Sequence, residues 1–285
     1  MVAKTATRKS ATGKKKIRKS ASRSSTPPRR IENWEELLQT AINLPGTLGT
    51  TYSRFHNYSY LNMVLLLSQG VNEPCASYDR WREMGRHVIA GTHGYLINRP
   101  FIRKKRGAKE GDDDETYLSF VLVRGAHPYS HTEGEEPPAV EPPTWDRSKA
   151  LAELKVREID FFDLDWNTQG YSRGREFAIN PAAVYPFKTM LHELAHIELG
   201  HTVEQPTLEE HKGVREFQAE SVAHILMHEF GVGDQFNPDE SRSYIQTWLA
   251  GGQVTDSDIK AVFRVADKIR KAGYPDEKKE PPASE

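Results

Sequence analysis

The chain has 285 residues, 37% of them hydrophobic, and 39 Lys and Arg against 40 Asp and Glu for a formal charge of −1. That content supports one large or two ordinary folded units, and a single cysteine, Cys75, excludes an internal disulfide or a multi-thiolate metal site. No apolar run approaches the roughly 20 residues that span a bilayer, so the chain reads as soluble and cytoplasmic, with no membrane partner.

The near-neutral total conceals two opposite parts. Residues 1–30 contain eleven Lys or Arg and no acid, embedded mostly in Ser, Thr, Ala and Pro. Such a segment cannot bury enough apolar surface to fold alone and reads as a disordered basic arm. It lacks the apolar core of a secretory signal. Removing its eleven bases leaves 28 against 40 acids, a body of −12. Cations grouped as in Lys14, Lys15 and Lys16 suit a polyanion such as nucleic acid, because each one that reaches a phosphate releases counterions.

After the arm, "IENWEELLQTAINL" carries Ile31, Trp34, Leu37, Leu38, Ala41 and Ile42 at helical spacing. "YLNMVLLLSQ" continues as an apolar helix, and "YDRWREMG" as a shorter one stopped by Gly85. The chain then switches to β-like runs, "HVIAGTHGYLINRPFIRKKRG" and "TYLSFVLVRG", separated by a charged stretch that reads as an exposed hairpin loop. Helices followed by strands predict a compact α+β domain over 31–130. Within it, aromatic and basic residues interleave: Tyr58, Arg80, Trp81, Arg82, Arg86 and Arg99 are the chief examples. This mixture suits single-stranded nucleic acid, where bases stack on rings and cations follow the backbone.

Residues 131–144 are rich in Pro and Glu without periodicity and read as a linker. A mainly helical unit follows over 145–273, with short strand candidates at "IDFFDLD" and "EFAIN", two amphipathic helices at its end, and a polar tail over 274–285. The predicted fold class is α+β throughout: an α+β nucleic-acid-binding domain, then a mainly helical metallopeptidase-like one.

The chemistry concentrates at "LHELAHIELGH", residues 191–201. A helix places His192 and His196 one turn apart on one face, so both can reach one ion, with Glu193 beside them as a general base. The spacing predicts zinc, whose bound water falls to a pKa of roughly 7. A hydrolytic site needs a third protein ligand. The metzincin pattern fails, because position 199 is Leu and position 202 is Thr. The gluzincin pattern, a glutamate on a second helix, fits Glu216, twenty residues after His196, with Glu220 one turn further on. Glu216 is the favoured ligand and Glu220 the residue orienting a ligand histidine, although the spacing also admits Glu220 as the ligand. His201, His211, Tyr171 and Tyr185 are candidates for stabilising an oxyanion, and the sequence does not choose among them.

"YSYLN", the "YDRWREMGRHVIAGTHG" block and "YSHTEGEEPP" resemble the N-terminal domain of ArdC-type antirestriction proteins. The resemblance covers most of residues 31–230. It implies a single-stranded-DNA-binding domain followed by a zinc metallopeptidase-like domain, in an accessory protein of a plasmid, phage or integrated element that shields incoming DNA in a bacterial host. The basic arm is outside that pattern. The second domain also resembles ImmA/IrrE peptidases, where an E-x-x-A segment follows the metal helix; "EFQA", Glu216 to Ala219, matches it. Two alternatives therefore stand beside the leading reading. One is a regulatory protease that cleaves a repressor, and the other a DNA-binding protein with a structural metal.

Overall fold

The computed structural model describes residues 30–43, 58–104, 116–137, 144–162, 168–203 and 210–275. The arm with Lys14, Lys15 and Lys16, the hairpin tip, residues 138–143 of the expected linker and most of the polar tail lie outside them. The described chain is a mixed α+β N-terminal region followed by a mostly helical C-terminal region.

The N-terminal region opens with helix α1 (Trp34–Asn43), which buries Trp34, Leu37, Leu38, Ala41 and Ile42. Helix α2 (Tyr60–Ser68) is capped by the Ser59 side chain and is apolar nearly all round. Strands β3 (Tyr95–Lys104) and β4 (Thr116–Pro128) form a long antiparallel hairpin, and β1 (Cys75–Ala76) pairs with the far end of β4. Two amides of α2 dock this hairpin by copying strand pairing. Asn62 donates to the Asn98 carbonyl at 3.1 Å and accepts from the Asn98 amide at 2.7 Å. Gln69 treats Leu96 in the same way, at 2.9 Å each. Backbone groups of β3 that would otherwise be buried unpaired are thus satisfied.

Helix α3 (Tyr78–Glu83) leads into β2 (Arg86–Val88), which pairs with β5 (Thr132–Gly134). The first residues of the expected linker therefore belong to the N-terminal sheet system. Composition pointed to a linker because Pro and Glu dominate, but Thr132 and Gly134 supply a strand partner that composition does not reveal.

In the C-terminal region, α4 (Arg147–Leu154) precedes a small sheet of β6 (Arg157–Glu158), β7 (Gly170–Arg173) and β8 (Glu176–Ile179), in the order β6-β8-β7. The described part of "IDFFDLD", residues 159–162, forms no strand; the two paired residues of β6 lie just ahead of it. Helices α5 (Pro186–Leu199) and α6 (Glu210–Glu229) follow, then α7 (Pro238–Ala250) and α8 (Asp256–Gly273). Phe217, Val222, Ala223, Ile225, Leu226 and Met227 of α6 are fully buried, so this helix runs through the core. Burial of each such large side chain contributes about 1.5–3 kcal/mol.

Helix α8 starts with a Thr255 and Asp258 capping box. It buries Ile259, Val262, Phe263, Ala266 and Ile269, and leaves Lys260, Arg264 and Lys271 exposed. Its apolar face meets both regions: the Trp34 and Tyr60 rings lie 6.3 and 6.2 Å from Phe263. Arg270, buried, donates to the Tyr58 carbonyl at 2.6 Å and to Glu229 at 3.3 Å. One continuous core therefore runs from α1 to α8. No described helix is long and apolar enough to cross a membrane.

Candidate metal centre

Helix α5 begins with Pro186 at its first position, where the missing N–H costs nothing, and ends at Gly200, whose φ of 81° only glycine adopts freely. Between these signals His192 and His196 share a face, and their Nε2 atoms lie 3.0 Å apart. Helix α6 packs across α5 and brings Glu216 to them. Its Oε2 is 3.3 Å from His192 Nε2, and its Oε1 is 3.6 Å from His196 Nε2. One donor atom from each of the three lies within 4.8 Å of the others.

Glu220, one turn along α6, stands on the other side of His192. Its Oε2 lies 3.4 Å from His192 Nδ1, while Lys188 Nζ reaches its Oε1 at 2.7 Å and the Ser241 hydroxyl donates to it. Burial lowers the His192 pKa, but the hydrogen bonds to Glu216 and Glu220 outweigh it and push the imidazole up to about 9. The same contacts act on the acids. The two imidazoles beside it, His192 first and then His196, hold Glu216 far below the usual carboxylate range. Burial raises Glu220, yet His192, Lys188 and Ser241 bring it down to about 2.

His196 is oriented by a chain of partners with one consistent direction. Gln218 directs its amide nitrogen at the Asp258 carboxylate, 3.1 Å away, which can only accept. The Gln218 oxygen therefore faces His201 Nε2 at 3.0 Å and must receive a proton from it. His201 Nδ1 is then bare and accepts from His196 Nδ1, also at 3.0 Å. This leaves His196 Nε2 unprotonated and aimed at His192 and Glu216. Burial and the neighbouring His196 lower the His201 pKa to about 4, which keeps it neutral in this role.

These contacts test the fit of a cation. Nitrogen lone pairs and a carboxylate converge on one point, and with His196 oriented as above the proton that can sit among them is one on His192 Nε2. Only a proton or a metal ion relieves that convergence, and the raised His192 pKa is the proton's version of it. Two imidazoles and a carboxylate are an ordinary ligand set for a divalent first-row ion.

The cluster opens on a cleft of about 540 Å³ lined by Gly170, Tyr171, Tyr185, Lys188 and Thr202 among others. Glu193 is buried in its wall. A Cβ on Gly170 would come within 2.6 Å of the Thr189 methyl, 2.9 Å of the Ala178 carbonyl and 3.5 Å of Glu193 Cγ. Gly170 thus allows β7 to lie against the metal helix. Gly170→Ala should push β7 off α5, seen as a lowered melting temperature together with weakened metal binding.

Sequence reasoning passed over Lys188, Gln218 and Asp258. The signal for Lys188 was present, since it lies four residues before His192 on the same helical face. Gln218 and Asp258 needed the fold. Tyr171 and Tyr185 line the cleft, and His201 turns out to buttress His196. The His211 side chain lies outside the description. His224 is buried against the Ile42 carbonyl at 3.1 Å.

The residues expected to hold DNA separate into two sets. Trp81 is 0% exposed and its indole N–H donates to the His127 carbonyl at 2.8 Å, so its ring stacks on no base. Arg86 is 4% exposed; it bonds Thr132, Gly134 and Glu135 and lies 4.2 Å over the Tyr129 ring. Both side chains are buried and brace the β2–β5 ribbon. Arg80 and Arg82 are exposed, Arg80 in an ion pair with Glu83, and Arg99 is exposed on β3. Arg86→Ala should cost about 3 kcal/mol, because several carbonyls lose their donor at once. A drop in the urea midpoint with metal binding unchanged would show this.

Fold and cluster together define a mixed α+β chain whose helical part carries a His, His, Glu group that could hold a metal ion. Residues 30–126 match the family model of the N-terminal domain of anti-restriction factor ArdC. Among solved structures, the chain is similar to the antirestriction ArdC protein from plasmid R388 in its Mn(II)-bound form. The TM-score is 0.51 at 15% identity, covering 85% of this chain and 98% of that one. The metal-free form of the same protein gives 0.47 at 17% identity, covering 85% and 96%. No curated protein matches the chain.

The zinc expectation is corrected: the ion in the similar Mn(II)-bound ArdC structure is manganese, not zinc. Spacing identified ligands, but two imidazoles and a carboxylate bind several divalent ions, so residue types alone overreached in naming one.

Proposed function

We propose that this chain is an antirestriction protein of the ArdC type that binds single-stranded DNA. The observation that carries this reading is the ArdC-type domain at residues 30–126. A chain that meets unwound DNA entering a cell would shield it before restriction acts, and the basic arm would add unspecific attraction. The test is fluorescence anisotropy with labelled oligothymidine and with duplex of equal length. Preference for the single strand is expected, with log K falling against log salt by about 0.7 for each phosphate contacted. Equal affinity for both forms, or no binding to the single strand, would sink it.

A second activity is supported by the cleft: hydrolysis of a peptide bond. Glu193 stands in the wall beside the His, His, Glu group, in the sequence order of a zincin-like peptidase. Strand β7 is the edge of its sheet and reaches this cleft, so its outer backbone groups can pair with an extended peptide. His192, His196 and Glu216 would hold the ion, and Glu220 with Lys188 would fix His192. A divalent ion bound there supplies polarisation of a carbonyl and acidification of water. Glu193 would take the attacking water's proton and pass it to the leaving amine.

A further inference from the structure

A second cavity lies away from the metal centre. It is a groove of about 880 Å³ between α1, the start of α2, the β3–β4 hairpin and α8. One side carries Lys260, Arg264 and Lys271, spaced along a single face of α8, and the other carries Arg30 and Arg99. Between them lies an apolar floor in which Trp34, Tyr58 and Phe263 are buried, and Phe120 stands 52% exposed at the margin. Lys260 already rests over the Trp34 ring at 4.9 Å.

The charge in this groove is predominantly positive. Its single acid, Asp267, is occupied: it accepts from the Tyr60 amide at 3.0 Å, from Arg270 at 3.3 Å and from Lys271 at 2.7 Å. Arg99 and Arg264 have no ion-pair partner among the described residues. Five cations therefore line the groove beside one carboxylate, on a body whose overall charge is −12; Lys271 shares that carboxylate and Lys260 lies 3.9 Å from Asp256. A groove with cationic rims, an apolar floor and a projecting ring fits a chain that is anionic along its backbone and flat and aromatic along its bases. An acidic peptide would match the rims but leave the exposed Phe120 ring without a stacking partner.

We propose that this groove is the track for single-stranded DNA, and that α8, outside the ArdC-type segment, forms one of its walls. This rests on the single-strand reading above and adds to it where the strand lies. It also relocates the contact from Trp81 and Arg86, which are buried, to Arg99, Arg264 and Phe120.

Anisotropy titration of the full-length protein with labelled oligothymidine tests the assignment. Charge reversal of two exposed groove residues, Lys260→Glu with Arg264→Glu, is compared with Arg80→Glu and Arg82→Glu on α3. The groove variant should lose at least tenfold in affinity and its salt slope should become shallower by about 1.4, the value for two phosphates on a single strand. Phe120→Ala should weaken binding by about 5-fold or more with the salt slope unchanged, since stacking is not ionic. The α3 variant should bind within about twofold of wild type. Circular dichroism and melting confirm that each variant is folded. Wild-type binding with both groove variants unchanged overturns the groove and leaves the DNA reading standing. Failure of the wild type to bind any single strand overturns both.

Discussion

Glu216→Gln is expected to remove most of the affinity for a divalent ion, probed with Mn(II), while the protein stays folded. Glu216 is 39% exposed at its side chain and makes no contact that the core depends on, so its amide leaves packing intact. The amide removes the only negative charge placed between the two Nε2 atoms. Glu220→Gln should act differently, because Glu220 touches the far nitrogen of His192 and does not converge with the other donors. Loss of such an orienting partner costs about 10–100-fold in affinity, and loss of the direct ligand should exceed that. Calorimetric titration with Mn(II) ranks the two, and a larger loss from Glu220→Gln would exchange their roles.

The same titration carries a pH signature. In the metal-free protein His192 holds a proton up to about pH 9. An ion must displace that proton, so affinity should rise roughly tenfold per pH unit through neutrality and level off above pH 9. Stability of the metal-free fold runs the other way for this group. The His192 pairing is complete below its ordinary value of 6.5 and is lost as pH rises through about 9. Glu220, depressed to about 2, contributes fully above its ordinary 4.5 and loses that contribution as pH falls towards 2. Metal-free protein should therefore be most stable between these limits, and added Mn(II) should raise the melting temperature most at the alkaline end.

Much of the metal centre was legible because helices convert spacing into position. Four residues separate His192 from His196, and one uninterrupted helix carries both Glu216 and Glu220, so the candidates were fixed before any packing was known. Choosing between the two acids required the crossing of α5 and α6. The His201, Gln218 and Asp258 series was not legible, since it joins a turn set by Gly200, a core helix and the start of α8. The DNA surface shows the opposite failing. Residue type marked Trp81 and Arg86 as partners for bases and phosphates, but a ring or guanidinium serves a core equally well. Arg264 and Lys260 went unremarked as nucleic-acid contacts because they sit on an amphipathic helix whose polar face looked like ordinary solvent-facing surface.

Glu193→Gln is the substitution that separates a metal-binding centre from a hydrolytic one. The side chain keeps its shape, the carboxylate is lost, and none of the three converging donors is touched. Mn(II) affinity should therefore stay close to wild type. Hydrolysis of a broad peptide mixture by the Mn(II)-loaded protein should fall by about 10²–10⁴, the usual contribution of a positioned general base. Oligothymidine binding serves as the internal control, because Glu193 is remote from the groove residues and the variant should bind strands as before. Equal cleavage by wild type and variant would remove Glu193 from the chemistry. Metal binding without cleavage by either would make the cluster a structural centre. In that case α5 and α6, pinned together by the ion, would act chiefly as the support on which α8 presents its cationic face.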